Sequence, residues 1–135
     1  MATLSATTIS GSLNVSGSIN GVKRYVATFT QSGTGNPSAT IFENTFGEVP
    51  TWTRELVAGT TVLYNLTFAG SVLTENKTTR WSVVRNSGNP ATGLILLQGA
   101  RSSDTVYGIN TRKVSDNTTT YDFDSSALFI LEVYP

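Results

Sequence analysis

Hydrophobic and polar positions alternate without a break from Ile9 to Gly21. Ile9, Gly11, Leu13, Val15, Gly17, Ile19 and Gly21 fall on one side of an extended chain, and Ser10, Ser12, Asn14, Ser16, Ser18 and Asn20 fall on the other. A period of two belongs to a β-strand, and the Gly and Ser content argues against a helix. The stretch is one phrase written twice, Ile-Ser-Gly-Ser-Leu-Asn and then Val-Ser-Gly-Ser-Ile-Asn. Ordering its backbone costs about 1–2 kcal/mol per residue. Against that stand only four aliphatic side chains, Ile9, Leu13, Val15 and Ile19, worth about 1.5–3 kcal/mol each when fully buried. The segment is therefore expected to order only when other surfaces complete its hydrogen bonds and its apolar face. Copies of itself around an axis, with the glycines allowing close approach, are the economical solution. A plain Gly/Ser linker, or a strand of the main sheet, is the alternative.

From Val22 to Pro135 the pattern becomes a series of short strands separated by turn clusters. Thr61–Ala69 is the cleanest: Val62, Tyr64, Leu66 and Phe68 face one way, Leu63, Asn65 and Thr67 the other. Arg80–Arg85 carries Trp81 and Val83 on one face, and in another stretch Thr119, Tyr121 and Phe123 alternate with Thr120, Asp122 and Asp124; Tyr25–Gln31, Ser38–Asn44, Thr51–Leu56 and Val106–Thr111 are further candidate strands. Leu94–Leu97 is apolar throughout and reads as a central strand buried on both faces. Leu128–Tyr134 is apolar on both faces apart from Glu132. One of its faces belongs in the core; the other is expected to meet a neighbouring subunit or a loop of the same chain. Asn-Pro turns punctuate the series at 32–40 and 86–93. About eight or nine short strands at such spacing predict an all-β protein: an antiparallel β-sandwich, jelly-roll-like, with an extended N-terminal β arm. The expected division is an arm or stalk over 1–22 and a sandwich over 23–135.

Composition supports this picture. The length, 135 residues, suits one sandwich domain. Charged residues make up only 13%, against roughly 25% in an ordinary soluble domain. Ser, Thr, Asn and Gly fill the difference, which favours strands and turns. Nine basic and nine acidic residues balance to a net charge of zero, so neither nucleic acid nor an anionic membrane is an expected partner. No cysteine and no histidine are present, which excludes disulfides, zinc–cysteine sites and every mechanism that needs an imidazole. MATLSATTIS lacks the basic and apolar regions of a secretion signal, and no apolar run reaches the length of a membrane span. The four Asn-x-Ser/Thr sequons, at Asn14, Asn65, Asn76 and Asn117, are then chance matches in an Asn- and Thr-rich chain.

Candidate chemistry is sparse. Asp122 and Asp124 share one strand face and are the carboxylate pair closest in sequence, the type of pair that binds calcium or cleaves glycosides. Two carboxylates on a strand are usually only solvated. No calcium loop, phosphate loop or serine elbow accompanies them, so no enzymatic activity, cofactor or metal is expected. Trp52 and Trp81 are the candidates for stacking on a glycan, with Tyr64, Tyr107 and Tyr121 behind them.

At this point particular residues bear a resemblance. TISGSLNVSGSI resembles the short Gly/Ser-punctuated β repeats of bacteriophage fibres and spikes. The chain from Tyr25 onward is similar to small proteins encoded in phages and prophages of Bacteroidetes bacteria. The likeness lies in Tyr25 with TQSGTGNP, in ENTFG at 43–47, WTR at 52–54, ENKT at 75–78 and EVYP at 132–135. It implies a virion component made in the host cytoplasm: a head fibre, capsid decoration, spike or tail-fibre subunit. A homotrimer is the expected assembly, with Ile9, Leu13, Val15, Ile19, Leu128, Ile130 and Tyr134 as its interface or docking residues. The further partner would be a capsid, portal or tail protein. The alternative is a receptor- or glycan-binding adhesin at a fibre tip, meeting a host-surface glycan; a virion-associated hydrolase using Asp122 or Asp124 is more distant.

Overall fold

The computed structural model describes residues 21–57, 61–85, 95–113 and 125–135. Eight strands run through them: β1 (Lys23–Gln31), β2 (Ser38–Asn44), β3 (Thr51–Val57), β4 (Thr61–Thr67), β5 (Thr78–Arg85), β6 (Ile95–Arg101), β7 (Val106–Lys113) and β8 (Ser125–Tyr134). They form two antiparallel four-stranded sheets, β2-β1-β8-β5 and β3-β4-β7-β6. The chain is therefore the all-β antiparallel sandwich that its alternating pattern predicts. Three hairpins lie within the sheets, β1 with β2, β3 with β4 and β6 with β7, and β8 closes the first sheet by pairing along the whole of β1.

Period-two patterning builds the core directly. Tyr25, Ala27, Phe29 and Gln31 of β1 and Ala127, Phe129, Leu131 and Val133 of β8 are buried, and the residues between them are not. Trp52, Val62, Tyr64, Leu66, Tyr107 and Ile109 answer from the other sheet. The two layers interlock through aromatic rings. Trp52 stacks on Phe29 with centroids 5.2 Å apart and meets Phe129 edge-on at 5.1 Å, geometries that favour rings beyond the area they bury. The polar ends of these rings are satisfied inside the core. Trp52 Nε1 donates to Tyr25 Oη at 3.2 Å, and Tyr64 Oη donates to Gln31 Oε1 at 3.0 Å. Gln31 Nε2 in turn donates to the Gly33 carbonyl, where a positive φ of 57° lets glycine turn the chain between β1 and β2.

Two features differ from the sequence expectation. Leu94–Leu97 reads as a central strand, but β6 starts at Ile95 and stands at the edge of its sheet, pairing with β7 alone among the described strands. Apolar content reports how many faces are covered. Hydrogen-bond partners lie along the strand's two sides and leave no mark in that pattern. The second difference is a bulge in β2, where the register against Val26 and Ala27 skips Phe42. The extra residue throws Phe42 outward at the sheet edge, 65% exposed. The alternating stretch at 119–124 lies outside the described residues.

Candidate functional site

The outward face of the first sheet follows from the composition of β8. With Ala127, Phe129, Leu131 and Val133 committed to the core, alternation sends Leu128, Ile130, Glu132 and Tyr134 outward, where all four are half-buried. Cross-strand partners extend them into an apolar strip. Ile130 lies between Val26 and Ser82, and Leu128 between Thr28 and Val84; Val84 remains 55% exposed. A charged cluster ends the strip. Arg24 Nη1 donates to Glu43 Oε2 at 2.8 Å, and Arg24 Nε lies 3.2 Å from Glu132 Oε1 without hydrogen-bond alignment. Tyr134 Oη donates to Glu132 Oε2 at 3.0 Å. The structure thus gathers Leu128, Ile130 and Tyr134 on one sheet face. Ile9, Leu13, Val15 and Ile19 lie outside the described residues, as do Asp122 and Asp124.

The structure places both tryptophans, the candidates for glycan stacking, in the packing between the two sheets. Trp52 is only 6% exposed, its ring held between Phe29 and Phe129 and its N–H used on Tyr25. No sugar reaches it in the folded chain. Trp81 is half-buried and points inward from β5 across the open side of the sandwich. It lies over the backbone of β6, where a Cβ on Gly99 would come within 2.5 Å of its ring, and its centroid is 6.4 Å from that of Tyr107. Its role is to close the core at that edge. Tyr64 and Tyr107 are likewise buried. Burial pushes the Tyr107 hydroxyl up to about 12, a hydrogen bond with Thr79 partly opposing it. Burial raises Tyr25 as well, against the opposing hydrogen bond from Trp52. Both hydroxyls are packing groups.

The outer face of the second sheet carries a feature that the sequence pattern did not single out. Leu63 pairs with Asn110, and Asn110 with Gln98. In the next row Asn65 pairs with Gly108, and Gly108 with Ala100. The second row is nearly bare of side chains toward β6, and a depression of about 460 Å³ forms there. On this face Asn65 Nδ2 donates to Glu55 Oε2 at 3.4 Å. The Oδ1 atoms of Asn65 and Asn110 are buried and accept no hydrogen bond. The available signal was the glycine inside β7, Gly108 in VYGINT. Interior glycines weaken strands and mark a close approach to the backbone. Among the described residues, no group of three acidic side chains is placed to hold a metal. No protein-family model, curated protein or solved structure matches the chain.

Proposed function

We propose that this chain is a non-enzymatic structural protein of a virion, a subunit of a head fibre, capsid decoration, spike or tail fibre that assembles as a homotrimer. Residues 1–22 act as the attachment arm or stalk, and residues 23–135 form the projecting sandwich. The observation that carries the reading is the apolar outward face of β8. A central strand with aliphatic side chains on both faces has one more apolar face than a lone sandwich uses, and a second protein surface satisfies it. The arm adds the same logic in sequence. Its Ile9, Leu13, Val15 and Ile19 are too few to order it alone, so its folding is coupled to association. Further copies of the chain are the first partners, and a capsid, portal or tail protein is the anchor.

Light scattering tests this directly. At micromolar concentration the full chain is expected to run as a trimer, and a chain lacking residues 1–22 at lower mass. Ile130→Asp is expected to lower the mass while leaving the strand signature in circular dichroism intact. A full-length monomer that also fails to associate with any capsid, portal or tail protein of its own virion overturns the reading.

A further inference from the structure

We infer that the depression on the outer face of the β3-β4-β7-β6 sheet is a binding site for a neutral saccharide. Its shape is specified by the chain. At the floor, a Cβ on Gly108 would lie 3.3 Å from Leu63 Cδ1 and 3.4 Å from Asn65 Oδ1, so even a methyl group there crowds the hollow. Ala100 adds only a methyl group beside it, while Leu63, Asn110 and Gln98 form the neighbouring row. At about 460 Å³ the space falls within the roughly 300–1,000 Å³ of small-ligand sites.

The polar groups select the ligand. Asn65 Oδ1 and Asn110 Oδ1 are buried acceptors with no donor. Folded chains rarely leave such groups unpaired, and each calls for an explanation. Both side chains are otherwise only half-buried, and Asn110, which lines the hollow, turns its amide toward the mouth by rotation about the terminal torsion. Asn110 lines the hollow together with Gln98 and Ser102, so amides and a hydroxyl face it, while Asn65 borders it beside Gly108. It wants a partner with several hydroxyl groups. Among the described lining residues the cation is Arg101, already held by Asp104 at 2.7 Å and Glu75 at 3.4 Å, which weakens its attraction for an anion. Sugar hydroxyls donate to such acceptors, while the C–H face of a pyranose rests on Leu63 and Ala100. An extended peptide would instead seek an unpaired strand edge. The site lies on the sheet opposite the apolar strip and does not depend on the assembly proposal: particle mass reads one and sugar binding reads the other.

The test is saturation-transfer NMR on the full chain with glucose, galactose, mannose, N-acetylglucosamine, lactose, cellobiose and chitobiose at millimolar concentration. At least one is expected to bind. Ala100→Leu fills the hollow from an exposed position and is expected to weaken that binding at least tenfold. Asn110→Leu is expected to abolish it with an unchanged or higher melting temperature, because an acceptor kept for a ligand contributes nothing to the fold. Absence of binding by every sugar overturns the inference, as does binding that survives Ala100→Leu. Saturation transfer to a neutral Ser/Thr tetrapeptide and to none of the sugars assigns the hollow to a peptide and also overturns it.

Discussion

The two sheets share one core and turn opposite characters outward. On the first, Ile130 of the central strand β8 pairs with Val26 and Leu128 with Val84, making an apolar strip. On the second, the equivalent centre is occupied by Gly108 beside Ala100 and is hollow, with amide oxygens at its floor. The inward faces obey one constraint, dense packing, and so resemble each other. The outward faces are free of it, and what they carry reflects what they meet. An apolar strip suits another protein surface; a hollow with unpaired acceptors suits a small donor-rich ligand.

That contrast can be broken at its base. Trp52 joins the layers beneath both faces, and Trp52→Ala is expected to cost about 3–5 kcal/mol. Urea denaturation should show one cooperative transition moved to lower midpoint, with trimer mass and sugar binding lost together. Loss of one property without the other at full occupancy of the folded state would show that the faces do not share this support.

Gly99→Ala attacks the edge that holds the sheets in register. Its new methyl group meets the Trp81 ring, and overpacking of this kind costs about 1–3 kcal/mol. Trp81→Leu in the same chain should recover part of the loss in melting temperature. An unaffected single variant would mean that Trp81 moves aside freely.

High pH probes the same region through Tyr107. An unfolded tyrosine ionises near 10, whereas burial holds the folded hydroxyl protonated up to about 12. Between those values the unfolded chain has lost a proton that the folded chain keeps. Stability is therefore complete below pH 10 and falls as the pH rises through 12, by an amount on the order of 2 kcal/mol. Denaturation midpoints at pH 9 and pH 11.5 measure the fall, and Tyr107→Phe should reduce it, with the raised Tyr25 hydroxyl keeping a remainder of the same sign.

The smallest effect separates the faces most sharply. On the hollow sheet Asn110→Leu should change stability by no more than about 1 kcal/mol, and in the stabilising direction, because it removes an unpaired buried acceptor. The opposite exchange on the strip, Ile130→Asn, should leave the monomer within about 1 kcal/mol of the original and weaken association. Thermal melting at concentrations below and above the association range distinguishes the two.

Much of this architecture was legible in the pattern. Each of the eight described strands overlaps a stretch marked by its apolar pattern and flanking turn residues, because a half-buried strand must alternate to face core and solvent at once. The double apolar character of β8 announced that both of its faces would want cover, and Leu128, Ile130 and Tyr134 do share the outward one. The placing of the tryptophans was not legible for a physical reason. An aromatic ring at a strand position suits a core and a binding face equally well, and only the partner sheet decides which it serves. The hollow was hidden because it joins residues from β4, β6 and β7 that are far apart along the chain, and because its main component is the absence of side chains at Gly108.

By itself the sequence determined the class of fold, the placing of turns and, outside the bulged β2, which residues of a strand face the same way, because those follow from local alternation and backbone freedom. Only the tertiary structure decided that β8 is central and β6 an edge, that Trp52 is buried and Trp81 closes the side over Gly99, and that Asn65, Asn110 and Gly108 meet on one face. Those outcomes depend on which strands pair across long stretches of chain, and pairing between distant strands is settled by the joint packing of the whole core.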